Sequence, residues 1–204
     1  MKNRNINLIA LFIILVMFTA SAMAQKARLD QPAPNFTLTD ANGKAHSLSD
    51  YKGKFVVLEW VNFDCPFVKK HYRSGNMPKL QKEYREKGVV WLSICSSAEG
   101  KQGHYTGKAL LERMKSENAA PTAYLLDTEG TVGKMYGAKT TPHMFVINPE
   151  GQLIYAGGID DKPSTNQEDI ATAKNYVVAA LNAAMRGKEV AQKSAQPYGC
   201  SVKY

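Results

Sequence analysis

Two short apolar runs on either side of a helical stretch constrain the fold more than any other feature of this sequence. They are residues 55–60 (FVVLEW) and 89–94 (VVWLSI). Runs of this kind are typical of strands buried on both faces of a parallel sheet. A helical crossover between them predicts parallel neighbours joined by a right-handed connection. Their carboxyl ends should then meet at one edge, where open α/β sheets place their functional sites.

The remaining elements predict a mixed sheet with helices on its faces. Asn42-Gly43 lies between two strand-like runs and predicts a hairpin with a type I′ turn. A second hairpin is predicted around residues 148–151 (NPEG), and a last helix over residues 167–186, where apolar residues recur every three or four positions. The chain is therefore predicted to be α/β, with a central mixed β-sheet flanked by helices and an N-terminal β-hairpin extension.

The N-terminus has the parts of a secretory signal peptide. Lys2 and Arg4 precede an apolar run at residues 8–18, and Ala22-Met23-Ala24 offers the small-x-small pattern that signal peptidases cleave. The run is shorter than the ~20 residues that span a bilayer. We therefore expect an exported protein, periplasmic or secreted, with no membrane association after cleavage; an uncleaved anchor is the alternative. The predicted divisions of the chain are a signal peptide (1–24), a folded domain (25–188) and a C-terminal tail (189–204).

Charge and motif content exclude several classes of function. The formal net charge is +8, but the basic residues are scattered and are not interleaved with aromatic ones, which favours a solvated surface over a nucleic-acid partner. No Cys/His set has the spacing of a tetrahedral metal site, and no glycine-rich phosphate loop follows a strand. The sequence therefore predicts neither a metal nor a cofactor.

Cys65 is the residue most clearly placed for chemistry. It follows the first buried run and precedes Pro66, which suits the first position of a helix because its missing N–H costs nothing there. Unpaired backbone N–H groups and the helix dipole stabilise a thiolate at such a position, and Lys69 and Lys70 add positive charge. Asp64 would oppose this if its carboxylate turned toward the sulfur. Because the thiolate is the species that attacks disulfides, we identify Cys65 as the candidate nucleophile.

Three stretches carry a family resemblance. They are residues 33–38 (APNFTL), residues 53–58 (GKFVVL) leading to Cys65-Pro66, and residues 136–151, which include Thr141-Pro142. In this order and spacing they resemble the thioredoxin superfamily, particularly its redoxin branch of AhpC/TSA proteins and TlpA-like thiol–disulfide oxidoreductases. The resemblance implies a thioredoxin-like fold, an enzyme that acts on thiols and disulfides, and a cis-proline loop at Pro142 that presents backbone to a thiol substrate.

The departures from the family pattern are informative. Val68 stands where a Cys-x-x-Cys motif would have its second cysteine. Leu58 and Asn62 replace the Pro and the Thr or Ser that precede a peroxidatic cysteine, and Thr141-Pro142 stands in place of an activating Arg. These differences favour thiol–disulfide exchange over a standard peroxidase mechanism. Asn62 could still donate a hydrogen bond near the sulfur, so peroxide reduction stays open.

A two-cysteine cycle at Cys65 requires a distant second thiol. Cys200 lies in a tail long enough to fold back, and Gly199 permits close approach; Cys95 is the other possibility, because it ends the neighbouring strand. We favour Cys200 as the resolving cysteine and interpret Cys95 as a core residue. The candidate site residues are Cys65, Cys200, Asn62, Pro66, Thr141 and Pro142.

The leading interpretation is an exported thiol–disulfide oxidoreductase of redox homeostasis. A peroxiredoxin-like antioxidant peroxidase, and a non-enzymatic binding module with a structural disulfide, are the alternatives. The expected partners are a thiol or disulfide protein, a small-molecule thiol reductant or a peroxide; the oligomeric state is not predicted. Three histidines, His46, His71 and His104, are expected at the surface, whereas His143 could lie near the sulfur.

Overall fold

The computed structural model describes residues 26–204, and the expected signal peptide lies outside the described residues. The nine strands of this part are β1 (Thr37–Asp40), β2 (Ala45–Ser47), β3 (Val56–Trp60), β4 (Val90–Cys95), β5 (Ala123–Leu126), β6 (Thr140–Thr141), β7 (His143–Ile147), β8 (Leu153–Gly157) and β9 (Cys200–Ser201). Its five α-helices are α1 (Pro66–Arg73), α2 (Asn76–Glu86), α3 (Gly107–Ser116), α4 (Thr131–Tyr136) and α5 (Tyr176–Ala184).

Seven strands form one mixed sheet in the order β2-β1-β5-β4-β3-β7-β8, and β6 pairs with β9 in a separate ladder. The two buried apolar runs are neighbours: β3 and β4 pair in parallel, as do β4 and β5. The strands β1 and β7 join this parallel centre in antiparallel orientation. The predicted mixed α/β sheet and the N-terminal hairpin extension are confirmed.

Hydrophobic clusters cover both faces of the sheet. One face packs against α1, α2, α3 and α5, through buried side chains such as Tyr72, Tyr84 and Leu181. The other face packs against α4 and the N-terminal segment, with Trp60 and Tyr136 at its centre. Because β3 is buried on both faces, the chain can turn into α1 only beyond the carboxyl end of this strand. No helix within residues 26–204 is long and apolar enough to cross a membrane.

The first hairpin differs from its predicted turn. Gly43 has a positive φ of 80°, but Asn42 does not share the left-handed conformation that a type I′ turn requires of both central residues. The Gly43 N–H instead donates to the Asp40 carbonyl, and the Asp40 carboxylate accepts from the N–H groups of Asn42 and Lys44. This pattern fits a type I turn followed by a left-handed glycine. The Asp40 side chain stabilises the longer loop by capping it.

The predicted last helix is divided in two. A 3-10 segment covers Gln167–Thr172, and α5 begins only at Tyr176. The break has a local cause, because the Asn175 side chain caps α5 by accepting from the Val178 N–H. The apolar periodicity is real for α5, which buries Val177 and Leu181, but the polar residues before it form their own turn.

Candidate active site

Cys65 is the N-cap residue of α1 and is completely buried. Its backbone is extended (φ −70°, ψ 126°), and Pro66 occupies the first turn. The predicted helix start is therefore present. The first N–H groups of a helix have no partner within it and carry the positive end of the helix dipole, so negative charge on a sulfur at this position is stabilised.

Thr141 and Cys200 approach the Cys65 sulfur from two sides. The Cys65 thiol donates to the Thr141 carbonyl (3.1 Å), and the Cys200 N–H donates to the Cys65 Sγ (3.4 Å). The Thr141–Pro142 peptide bond is cis. Thr141 is also the ladder partner of Cys200 between β6 and β9. The fold therefore brings the Cys-Pro helix start, the cis-proline loop and the C-terminal cysteine together.

The three thiols of the chain lie in different environments. Cys65, Cys95 and Cys200 are all free cysteines, but only Cys200 is partly exposed. Burial, followed by hydrogen bonding to Cys65, raises the pKa of the Cys200 thiol to about 11. At neutral pH Cys200 is therefore protonated. The Thr141 hydroxyl is buried without a hydrogen-bonding partner.

Residues 193–204, here called the C-terminal strap, run across the site and are fixed on both sides of Cys200. At the start, the Lys193 carbonyl accepts from the Ala156 N–H (3.0 Å). After Cys200, the Val202 N–H donates to the Lys139 carbonyl (3.1 Å). At the end, the Tyr204 hydroxyl donates to the Ala138 carbonyl (2.8 Å). The Tyr204 side chain fills the space beside Gly130 and Gly133, where an added Cβ would meet it at 2.3 Å and 2.5 Å.

Gly199 lets the strap lie this close. Its φ is +137°, and a Cβ at this position would meet the Thr141 carbonyl oxygen at 2.0 Å. That contact is with backbone and cannot be relieved by a side-chain rotation. A glycine before Cys200 is therefore a requirement of the ladder between β6 and β9.

Tyr198 anchors the strap in a buried polar cluster. Its hydroxyl donates to Asp160 Oδ1 (2.5 Å) and lies 3.2 Å from His71 Nε2. The Asn76 amide lies 2.9 Å from His71 Nδ1; if it donates there, the hydrogen of the neutral ring is on Nε2, directed at Tyr198. Burial lowers the pKa of His71 to about 4, with Asp160 opposing the effect. His71 is therefore neutral at pH 7, and the expectation of a surface histidine is wrong.

Two residues before Cys65 shape the turn that leads to it. The Asn62 carbonyl accepts from the Cys65 N–H (3.0 Å), and its Oδ1 accepts from the Asp64 N–H (2.9 Å). The Asn62 amide donates to the Gln102 carbonyl (3.1 Å), so its donor is engaged away from the sulfur. The Asp64 carboxylate is held by Arg113 (3.1 Å) and by the Tyr105 hydroxyl (3.0 Å).

Cys95 lies at the end of β4 and has a different environment. Its thiol is buried and donates to the Gly103 carbonyl (3.4 Å). The Tyr124 hydroxyl lies beside it; burial first, and then this proximity, raise the pKa of the phenol. This setting is that of a packed strand-end residue.

Glu59 was not singled out from the sequence, although it lies within β3. It is fully buried and accepts hydrogen bonds from four side chains: Tyr72 (2.8 Å), Trp91 (2.8 Å), Gln81 (2.9 Å) and Ser93 (3.0 Å). Burial raises the pKa of this carboxyl, and the hydrogen bonds oppose the rise. The network ties α1 and α2 to strands β3 and β4. The sequence signal for this network is a single acidic residue, Glu59, within an otherwise apolar run.

Two further histidines, His143 and His46, are also buried. His143 is buried after Pro142, accepts from the Lys139 N–H through Nδ1, and lies against the Phe145 ring; burial lowers its pKa to about 4. His46 is also buried, between Tyr51 and Asp40, so the expectation of a surface position is wrong for it. Within residues 26–204, no group of three or more His, Cys, Asp or Glu side chains is placed to hold a metal ion.

The architecture and the site define a thioredoxin-like protein with a cysteine at the start of the helix that faces the cis proline. Structures of known proteins share this fold. An uncharacterized conserved protein from Geobacillus kaustophilus matches with a TM-score of 0.72 at 28% identity, covering 87% of this chain and 92% of that one. The thioredoxin domain of a thiol–disulfide oxidoreductase from Bacteroides vulgatus matches with a TM-score of 0.52 at 17% identity, covering 72% and 98%.

The chain belongs to the AhpC/TSA family, whose model matches residues 29–156. Among named relatives, the thiol–disulfide oxidoreductase ResA of Bacillus subtilis is 31% identical over 122 residues, or 60% of this chain and 63% of that protein. The predicted resemblance to the redoxin branch is confirmed, and the named relative, of which the chain spans less than two thirds, agrees with the prediction of an oxidoreductase. The family model ends before the C-terminal strap, so Cys200 lies outside the matched region.

Proposed function

We propose that this protein is an exported thiol–disulfide oxidoreductase whose redox pair is Cys65 and Cys200. One observation carries the proposal: the Cys200 N–H lies 3.4 Å from the Cys65 sulfur, and β9 holds Cys200 in register with Thr141. The local dithiol of a Cys-x-x-Cys motif is replaced by a pair whose members are 135 residues apart. The family match and the named relative support the class of reaction.

In the proposed cycle Cys65 is the nucleophile. Its thiolate, stabilised by the start of α1, attacks a substrate disulfide and forms a mixed disulfide. Because Cys65 is completely buried under the strap in the reduced protein, residues 199–201 must move aside to admit the substrate. Cys200 then gives up its proton to the departing substrate sulfur and attacks the Cys65 sulfur of the mixed disulfide, which releases the substrate as a thiol and closes the Cys65–Cys200 bond.

The remaining site residues position these groups. Pro66 fixes the first turn of α1, and Asn62 shapes the approach to Cys65 through its Oδ1 and carbonyl. Thr141, before the cis Pro142, presents a backbone carbonyl to the sulfur, and its buried hydroxyl has no hydrogen-bonding partner. The proposed substrates are disulfides of exported proteins or of small molecules, with a thiol reductant as the second partner.

The test is turnover of insulin or glutathione disulfide by the natural chain and by two variants, Cys65→Ser and Cys200→Ser. We expect Cys65→Ser to abolish turnover and Cys200→Ser to stop the cycle after one mixed disulfide, visible by mass as a stable adduct on Cys65. Unchanged turnover in Cys65→Ser would refute the proposal. Disulfide mapping of the exported, oxidised protein tests the pair, and sequencing of its N-terminus tests cleavage after Ala24.

Peroxide reduction is the second candidate, favoured by membership of the AhpC/TSA family. The Asn62 amide, the donor that would have activated a peroxide, is engaged by the Gln102 carbonyl. Consumption of hydrogen peroxide with a thiol reductant, together with trapping of a sulfenate on Cys65, separates this function from disulfide exchange.

A further inference from the structure

The C-terminal strap determines which sulfur of the closed pair an outside thiol can reach. In the reduced protein the strap covers Cys65 completely, whereas Cys200 is partly exposed. A Cys65–Cys200 bond ties the strap to the residue it covers. Moving the strap away to expose Cys65 would then require breaking this same disulfide.

We propose that an external thiol reduces the Cys65–Cys200 disulfide by attacking Cys200, and that Cys65 is the leaving sulfur. This inference rests on the proposed redox pair and assigns the order of events in its reductive half. Cys200, which the sequence predicts only as a resolving cysteine, is then also the residue that the reductant attacks.

The direction of attack favours Cys200. A thiolate approaches a disulfide along the axis of the S–S bond, from the side opposite the leaving sulfur. Cys65 has no exposed surface within the hydrophobic cluster that it shares with Phe63 and Val68, so its sulfur offers no open side to an incoming thiolate. Cys200 packs against the edge of the same cluster and is partly exposed, so an incoming thiolate can reach it from solvent.

Contacts on both sides of Cys200 resist a movement of the strap that would expose Cys65. Tyr198 is fixed by Asp160 and packs edge-on against Phe67 (5.9 Å between ring centres). On the far side of Cys200, the Val202 N–H and the Tyr204 hydroxyl are bonded to the loop before β6. With anchors on both sides and a covalent bond between them, the closed strap keeps the Cys65 side of the disulfide covered.

The leaving-group chemistry agrees with the geometry. The sulfur that departs more easily is the one whose thiolate is better stabilised. Cys65 lies at the start of α1 and accepts the Cys200 N–H, whereas burial and hydrogen bonding to Cys65 raise the pKa of Cys200 to about 11. Departure of Cys65 is therefore favoured over departure of Cys200.

The proposed steps balance. The incoming thiolate forms a bond to the Cys200 sulfur, and the electron pair of the Cys65–Cys200 bond passes to the Cys65 sulfur. A second thiolate, from the same dithiol or from another molecule, attacks the reductant's sulfur in the mixed disulfide. Cys200 leaves as a thiolate and takes a proton from water, so that two external thiols are oxidised while the protein disulfide is reduced.

The experiment uses the natural exported chain, oxidised, with glutathione as the probe thiol. Glutathione is added alone, the reaction is stopped after short intervals by a large excess of N-ethylmaleimide, which alkylates the free thiols, and the peptides are mapped by mass. We expect glutathione on Cys200 with maleimide on Cys65 to exceed the reverse pair at least tenfold. In urea, where the strap is released, the excess should fall to less than threefold.

Two outcomes would overturn this assignment. A majority of glutathione on Cys65 in the folded protein would show that Cys65 is the point of attack. An excess that persists unchanged in urea would show that the strap does not direct the reaction. Neither result resembles failure of the proposed function, because in that case the oxidised chain would contain no Cys65–Cys200 disulfide before glutathione is added.

Discussion

Cys65 follows β3 and Cys95 ends its parallel neighbour β4, and both cysteines belong to the same hydrophobic cluster. Both are buried thiols that donate to a backbone carbonyl, Cys65 to Thr141 and Cys95 to Gly103. Their differences lie in what surrounds the sulfur. Cys65 caps a helix and receives an N–H from a second cysteine, whereas Cys95 ends a strand beside a tyrosine.

This comparison shows that the sheet edge alone does not make a redox site. Both cysteines are buried and donate to a backbone carbonyl, so neither property distinguishes them. Only the helix start and the paired thiol supply stabilisation of negative charge and a route to a disulfide. Substitutions near each cysteine test this difference.

The largest expected effect is the difference between the two serine variants. Cys65→Ser should lower disulfide turnover about 100-fold or more, because the nucleophile is lost, while Cys95→Ser should stay within about threefold of the natural chain. Steady-state rates with glutathione disulfide, together with thermal unfolding to confirm folding of both variants, measure the contrast. A large loss in folded Cys95→Ser would mean that Cys95 takes part in the cycle.

A smaller effect is expected from Gly199→Ala, which acts on the Cys65 side without removing a thiol. The added methyl would meet the Thr141 carbonyl at 2.0 Å, in a backbone conformation that side chains rarely adopt. The strap must shift, so we expect closure of the Cys65–Cys200 disulfide to slow about tenfold or more. Oxidation stopped at timed intervals and followed by mass mapping gives the rate of disulfide closure.

Gly187→Ala is the matched control, because Gly187 has a positive φ (+68°) with nothing within 4 Å of the added carbon. A similar slowing in this variant would contradict the role of the Thr141 contact.

The sequence predicted the Cys65 side of this comparison because that information is local. A strand-like run followed by Cys65-Pro66 specifies a sulfur at a helix start, whatever the rest of the chain does. The mixed sheet was predictable for the same reason, from the periodicity of each run. The family resemblance placed Pro142 opposite the cysteine, and the structure has its peptide bond cis.

The strap was only partly predictable, because its contacts connect distant parts of the chain. Gly199-Cys200 suggested a close approach, but Tyr198 meets Asp160 and His71, 38 and 127 residues away. Nothing near His71 in the sequence distinguishes a buried acceptor from a surface histidine. The division of the last helix likewise depends on the Asn175 cap, which competes with an otherwise continuous apolar pattern.

Acid should lower the stability of the folded protein, because His71 and His143 are buried as neutral rings. Burial lowers the pKa of His71 and of His143 to about 4, below the usual 6.5 of the unfolded chain. Each contribution is fully present above pH 6.5 and is lost as the pH falls toward 4. Between pH 7 and pH 5 we expect a loss of about 2 kcal/mol per histidine in the free energy of unfolding. Urea unfolding at both pH values measures the loss, and His143→Gln should reduce it by about half; an equal loss in that variant would contradict the assignment.

The smallest expected effect is on the Cys95 side. The Tyr124 hydroxyl is buried without a hydrogen-bonding partner, and the group beside it is the Cys95 thiol, which already donates to Gly103. Because a thiol is a weak partner for a hydroxyl, Tyr124→Phe should change the free energy of unfolding by less than about 1 kcal/mol and should leave turnover unchanged. Tyr72→Phe is the matched comparison, since its hydroxyl donates to the buried Glu59 at 2.8 Å, and its loss should cost about 1–3 kcal/mol. Urea unfolding of the two variants separates them: equal costs would mean that the Tyr124 hydroxyl has a stabilising partner, and that Cys95 is held more firmly than its single carbonyl contact indicates.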